Sequence, residues 1–102
     1  MQRPRHKFHA IRCEADGIKF DSKKERAYYY KLKIAYEAKG IVGFIRQVPF
    51  YLSGTKYVCD FLVFHLDGSC DFVDVKGVRT PVYKAKMKQM NVLYPWVTIE
   101  EV

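Results

Sequence analysis

At 102 residues the chain has room for one compact domain and too little for two. Hydrophobic residues at 49% and aromatics at 16% exclude a chain too polar to fold, and no apolar run nears the roughly 20 residues that a membrane span needs. Against 11 Asp and Glu stand 18 Lys and Arg, a net charge of +7, which points to a polyanionic partner or, more blandly, to a solvated basic surface.

Residues 1–8 read as a basic arm, with Arg3, Arg5 and Lys7 around Pro4 as candidates for phosphate contact, and residues 9–102 as the single domain. The opening MQRPRHK lacks the apolar core of a secretion signal. Cys13, Cys59 and Cys70 are odd in number, without C-x-x-C spacing or a nearby histidine pair, so the expectation is reduced thiols in a cytoplasmic protein rather than a zinc site. His6, His9 and His65 are scattered and suggest no histidine-centred catalyst.

In HAIRCEADGIKF, short apolar stretches flank Asp16-Gly17, a pair suited to a tight hairpin turn. Ser22 followed by Glu25 matches a capping box, and the helix formers from Lys23 to Lys39 run until Gly40, which should stop the helix. Ala27, Tyr28, Leu32, Ala35 and Tyr36 recur at helical spacing and predict its inward face. Tyr28, Tyr29 and Tyr30 belong to core and rim on this reading, not to base stacking.

VGFIRQVPFYL is β-rich but carries Pro49, which predicts a broken or edge strand, and Gly54 marks the turn after it. Tyr57–Leu66 and Cys70–Lys76 predict a hairpin around Asp67-Gly68. Thr80 as cap with Pro81 at the first helical position starts a second helix, which runs to about Leu93. Tyr94-Pro95 ends it, and WVTIEEV supplies a last strand. The order hairpin, helix, three strands, helix, strand makes an α/β fold, a mixed sheet flanked by two helices.

VCDFLVFHLDGSCDFVDVKG places Asp60 on one strand and Asp74 with Lys76 on the next. Two carboxylates, with a backbone carbonyl, suit a hard cation such as magnesium, and a neighbouring amine can orient water and offset developing charge. Strand side chains alternate between faces, so the loop length decides whether these groups meet. A two-residue loop would pair Asp60 with Val75 and separate them. A three-residue loop, Asp67-Gly68-Ser69, would pair Asp60 with Lys76 and Leu62 with Asp74, putting all three on one face. That register sends Phe61, Val63, Val73 and Val75 to the opposite face, and two apolar faces call for a helix on each. The alternative for the trio is an ion-pair cluster at a strand end.

With S-K-K-E in the first helix, then C-D-F, V-D-V-K-G and T-P-V-Y-K-A-K-M-K in order, the chain resembles the PD-(D/E)XK nuclease superfamily, and within it small phage endonucleases and Holliday junction resolvases. The resemblance spans Asp16 to the C-terminus. It implies a restriction-endonuclease-like core and a metal-dependent DNA endonuclease using Mg2+ or Mn2+. Asp60, Asp74 and the carbonyl of Val75 would hold the metal, Lys76 would help activate water, and Glu25 would complete the site. The capping box also explains Glu25 without catalysis, and a cap and a ligand role can coexist. Cys59 replaces the usual proline, and Asp74 the more frequent glutamate. Candidate DNA contacts beyond the arm are Lys23, Lys24, Arg79, Thr80, Lys84, Lys86 and Lys88, with Lys86 the best match; a solvated helix face is the alternative. The implied partner is branched DNA, cut by a homodimer, with no membrane and a cytoplasmic setting, that of the host if the gene is a phage's. The rival readings are a non-catalytic nucleic-acid-binding module on the same fold, a nuclease for flap or single-stranded DNA, and a structural protein whose charge is incidental.

Overall fold

The computed structural model describes residues 13–102, so the basic arm with Arg3, Arg5 and Lys7 lies outside the described residues. Strands β1 (Cys13–Ala15) and β2 (Ile18–Phe20) form the expected hairpin. Its turn residues, Asp16 and Gly17, have φ of 53° and 75°, the two positive values that a tight right-twisted hairpin turn requires. The Asp16 carboxylate accepts from Tyr29 Oη at 2.9 Å and Lys33 Nζ at 2.8 Å, fastening the hairpin to the first helix.

That helix, α1 (Lys23–Glu37), starts as expected, with the Glu25 N–H donating to Ser22 Oγ at 3.1 Å. Its end is different. The helix stops two residues before Lys39, and Lys39, not Gly40, takes the left-handed conformation with φ of 60°. Gly40 N–H donates to Ala35 O at 2.8 Å and Lys39 N–H to Tyr36 O at 3.0 Å, the two bonds of a Schellman closure with lysine at the position glycine favours. The inward stripe also shifts. Glu25, Tyr29 and Leu32 are buried, Tyr28 and Ala35 pack at the margin, and Ala27 and Tyr36 are exposed. A stripe chosen from apolar residues alone is rotated by about one position, because its first member is the acidic Glu25.

The main sheet has the order β3-β4-β5-β6. Strands β3 (Gly43–Leu52), β4 (Thr55–Phe64) and β5 (Cys70–Asp74) run antiparallel to their neighbours, while β6 (Ile99–Glu101) lies parallel to β5 after the crossover through α2 (Pro81–Leu93). Edge strand β3 carries Pro49, whose missing N–H suits that place. Helix α2 begins as the sequence predicts, Tyr83 N–H donating to Thr80 Oγ1 at 3.1 Å. One core layer joins Tyr29 and Leu32 of α1 to Phe61, Val63, Val73 and Val75, and a second joins Tyr83 and Met90 of α2 to Phe50, Tyr57 and Cys59. Val73 belongs to the first layer and Phe72 to the second, so the helices cover opposite faces of the sheet. Cys13, Cys59 and Cys70 are free. Among the described residues no helix is long and apolar enough to cross a membrane.

Candidate active site

The parity on which the predicted site depends is present, but the register is displaced by two residues. Phe61 pairs with Val73 and Phe64 with Cys70, which sets Asp60 opposite Asp74 rather than opposite Lys76. His65 N–H donates to Ser69 O at 2.9 Å and Gly68 N–H to His65 O at 3.1 Å, so three residues, Leu66-Asp67-Gly68, turn inside the His65–Ser69 closure. Displacement by two keeps side chains on the same face, so the carboxyls meet in either register.

Asp60 also sits where strand alternation breaks. Tyr57 and Cys59 face the α2 layer, yet Phe61 and Val63, of the same parity, face the α1 layer. On β3, Val48 and Phe50 pack in the α2 layer, while Phe44 packs in the α1 layer and Arg46 stacks on Phe20 there at 4.6 Å. Between them Gln47 has φ of 57°, and the pairing Arg46↔Phe61 and Val48↔Cys59 continues on both sides of it. The ribbon of β3 and β4 therefore turns over at Gln47 and Asp60. Groups from both layers can reach Asp60 as a result.

The gathered residues are Glu25, Asp60, Asp74 and Lys76. Asp60 Oδ2 accepts from Val75 N–H at 2.9 Å. Asp74 is 0% exposed; its Oδ2 accepts from the Tyr57 hydroxyl, and its Oδ1 lies 3.5 Å from Lys76 Nζ with no hydrogen bond. Lys76 is held over the Tyr83 ring at 4.4 Å, and Tyr83 Oη donates to Glu101 at 2.7 Å. Glu25, 4% exposed, does more than begin the helix. Its carboxylate faces Arg46 at 3.5 Å and Gln47 Nε2 at 3.4 Å, and it lines a cleft of about 380 Å³ with Asp21, Lys24, Asp60, Val75 and Lys76.

The electrostatics follow from this crowding. Burial first, then the Asp74 carboxyl and the Glu25 charge, push Asp60 up to about 8. Burial likewise raises Glu25, against the pull of Arg46. The buried Tyr57 phenol, bonded to Asp74, is raised above its ordinary range and stays a donor. Two carboxyls pressed together need a proton or a cation between them.

A family profile described as "Protein of unknown function (DUF1064)" matches residues 5–101. The chain belongs to the DUF1064 family. No curated protein matches it.

Among the described residues of this DUF1064 protein, no three His, Cys, Asp or Glu side chains converge as a ready-made metal cage. Asp74 Oδ1, buried without a donor beside the carboxyl of Asp60, is nonetheless the kind of hard oxygen that a magnesium-sized ion takes, and such ions commonly keep several waters. The pair fits a cation bound by two protein carboxylates and completed by solvent or substrate.

The basic residues of the DUF1064 protein do not act as one set. Lys24 Nζ donates to Lys76 O at 3.0 Å and lines the cleft, whereas Lys23 is exposed beside it. Lys86 lines an adjoining groove with Lys56, Tyr57, Lys76, Thr80 and Tyr83. Lys84 and Lys88 are exposed outside that groove, since residues two apart on a helix face away from each other. Arg79 pairs with Glu101 at 3.4 Å, and the Thr80 hydroxyl is engaged in capping. Sequence reasoning missed Tyr57, Arg46, Gln47 and Lys56. Regular alternation gave no reason to bring the first three to the carboxylates, because the turnover at Gln47 is a tertiary feature.

Proposed function

We propose that this DUF1064 protein is a metal-dependent DNA endonuclease of the PD-(D/E)XK kind, and that branched DNA, as in a four-way junction, is its substrate. The observation that carries the reading is the meeting of Glu25 from α1, Asp60 from β4 and Lys76 from just past β5 at one cleft, with the buried carboxyl of Asp74 behind it, against Asp60 and Lys76. Asp60 and Asp74, with the carbonyl of Val75, would hold Mg2+ or Mn2+. Such an ion supplies a bound water acidic enough to attack near neutral pH and a Lewis acid for the phosphoryl oxygen.

The chain's own groups do the rest. Lys76 orients the attacking water and offsets charge gathering on the phosphate. Glu25, braced by Arg46 and Gln47, accepts a proton from that water or shares in a second ion. Lys86 and Lys56, in the adjoining groove, bind a neighbouring phosphate of the same strand. The resemblance implies products with a 5′-phosphate and a 3′-hydroxyl. Two cuts resolve a four-way junction, which calls for a symmetric dimer.

The test is incubation with linear, single-stranded, flap and four-way DNA, with and without magnesium. Magnesium-dependent cutting favouring the four-way substrate is expected. Preference for flap or single-stranded DNA would keep the chemistry and change the substrate, whereas binding without cutting of any substrate would favour a non-catalytic module.

A further inference from the structure

The Tyr57 side chain is 3% exposed, and its ring stacks on Phe50 with centroids 6.1 Å apart and meets Tyr83 edge-on at 6.2 Å. Phenylalanine would fill that place equally well. What tyrosine adds is a hydroxyl that donates to Asp74 Oδ2. The other oxygen, Oδ1, is the one left without a hydrogen bond, on the side of Lys76. Across the strand pair, Val75 N–H occupies Asp60 Oδ2 in the same manner. Each carboxylate is thus tied through one oxygen by a donor of the chain.

The number of oxygens a carboxylate can offer matters to cation choice. Magnesium takes six ligands at about 2.0–2.1 Å and tolerates single-oxygen carboxylates with water filling the rest. Calcium takes six to eight ligands at about 2.3–2.6 Å and gains from carboxylates that offer both oxygens. We propose that Tyr57 is a positioning residue that restricts Asp74 to one ligand oxygen and so biases the site toward magnesium-sized ions over calcium. This rests on the metal-dependent reading above.

The experiment titrates the intact protein and its Tyr57→Phe variant with Mg2+ and, separately, Ca2+ by calorimetry. Loss of a hydrogen bond to a ligating group weakens metal binding by about 10–100-fold. Tyr57→Phe should therefore weaken Mg2+ by at least about tenfold, while Ca2+ changes by less than about threefold because both Asp74 oxygens become available. Equal loss for both ions, or none for either, would overturn the proposal and leave the metal-dependent reading standing. Absence of Mg2+ binding by the unaltered protein would overturn both.

A second measurement needs no variant. A carboxylate bound through one oxygen shows a wider separation of its two infrared stretches than one bound through both. The difference spectrum of the unaltered protein with and without Mg2+ should show the wide separation for its aspartates. A narrow one overturns the proposal even if Tyr57→Phe does not fold.

Discussion

Asp74 is the residue on which the proposed chemistry and the fold meet, since it is fully buried, bonded to Tyr57 and 3.5 Å from Lys76. Replacing it with Asn keeps the shape and removes the charge. Cleavage by Asp74→Asn should fall by about 10²–10³-fold or more, the scale of losing one preorganised electrostatic group. DNA binding should persist or tighten, because one fewer negative charge lies beneath the surface that meets the phosphates. Normal cleavage by the purified variant would remove Asp74 from the catalytic assignment. Asp60 makes a different prediction, on stability. Its pKa in the fold is raised from 3.8 to about 8 by burial, by Asp74 and by Glu25. A raised acid favours the fold when protonated, so its contribution is full below the unfolded value and is lost as pH rises through the folded one. The Tm of metal-free protein should fall from about pH 5 to about pH 8.5, and Asp60→Asn should flatten that fall. Saturating Mg2+ should raise Tm more at the alkaline end than at the acid end. A metal-free profile that rises across this range would refute the crowding of the two carboxyls.

Helices and strands account for how those residues come together. Helix α1 places Glu25 at the site from its first turn, with Ser22 fixing where that turn begins. At its far end Lys39 occupies the left-handed position of the Schellman closure with φ of 60°. A side chain there costs about 1–2 kcal/mol relative to unstrained backbone, and glycine avoids the clash at some cost in unfolded-chain entropy. Lys39→Gly should stabilise the protein by about 1 kcal/mol in a urea melt, leaving the site unaffected. Destabilisation would mean that the Lys39 side chain makes a contribution larger than its strain. The ribbon of β3 and β4 matters more for function. Its turnover at Gln47 lets Tyr57 approach Asp74 from the α2 layer while Glu25 approaches from the α1 layer.

At the scale of the whole molecule, a net charge of +7 on 102 residues favours a polyanionic partner. Any DNA affinity should fall steeply with salt, by nearly one logarithmic unit of slope for each phosphate neutralised. Lys86 lines the groove next to the cleft and Lys84 does not. Lys86→Ala should weaken binding on every sequence and lower the salt slope by about one, with Lys84→Ala changing it less. Equal effects from both would mean that the charge acts only as a diffuse field. Much of this organisation was legible in the residues themselves. Local chemistry set the hairpin at Asp16-Gly17 and the helix starts at Ser22 and Thr80, because turns and caps depend on neighbours in sequence. Parity alone was enough to bring Asp60 and Asp74 to one face, since a displacement by two preserves it. The tertiary structure decided the rest: the actual register, the turnover at Gln47, the burial of Glu25 against Arg46, the bond from Tyr57 to Asp74, and the parting of Lys86 from Lys84 and Lys88. Those depend on which layers meet across the sheet, and a contact between layers leaves no periodic mark along the chain.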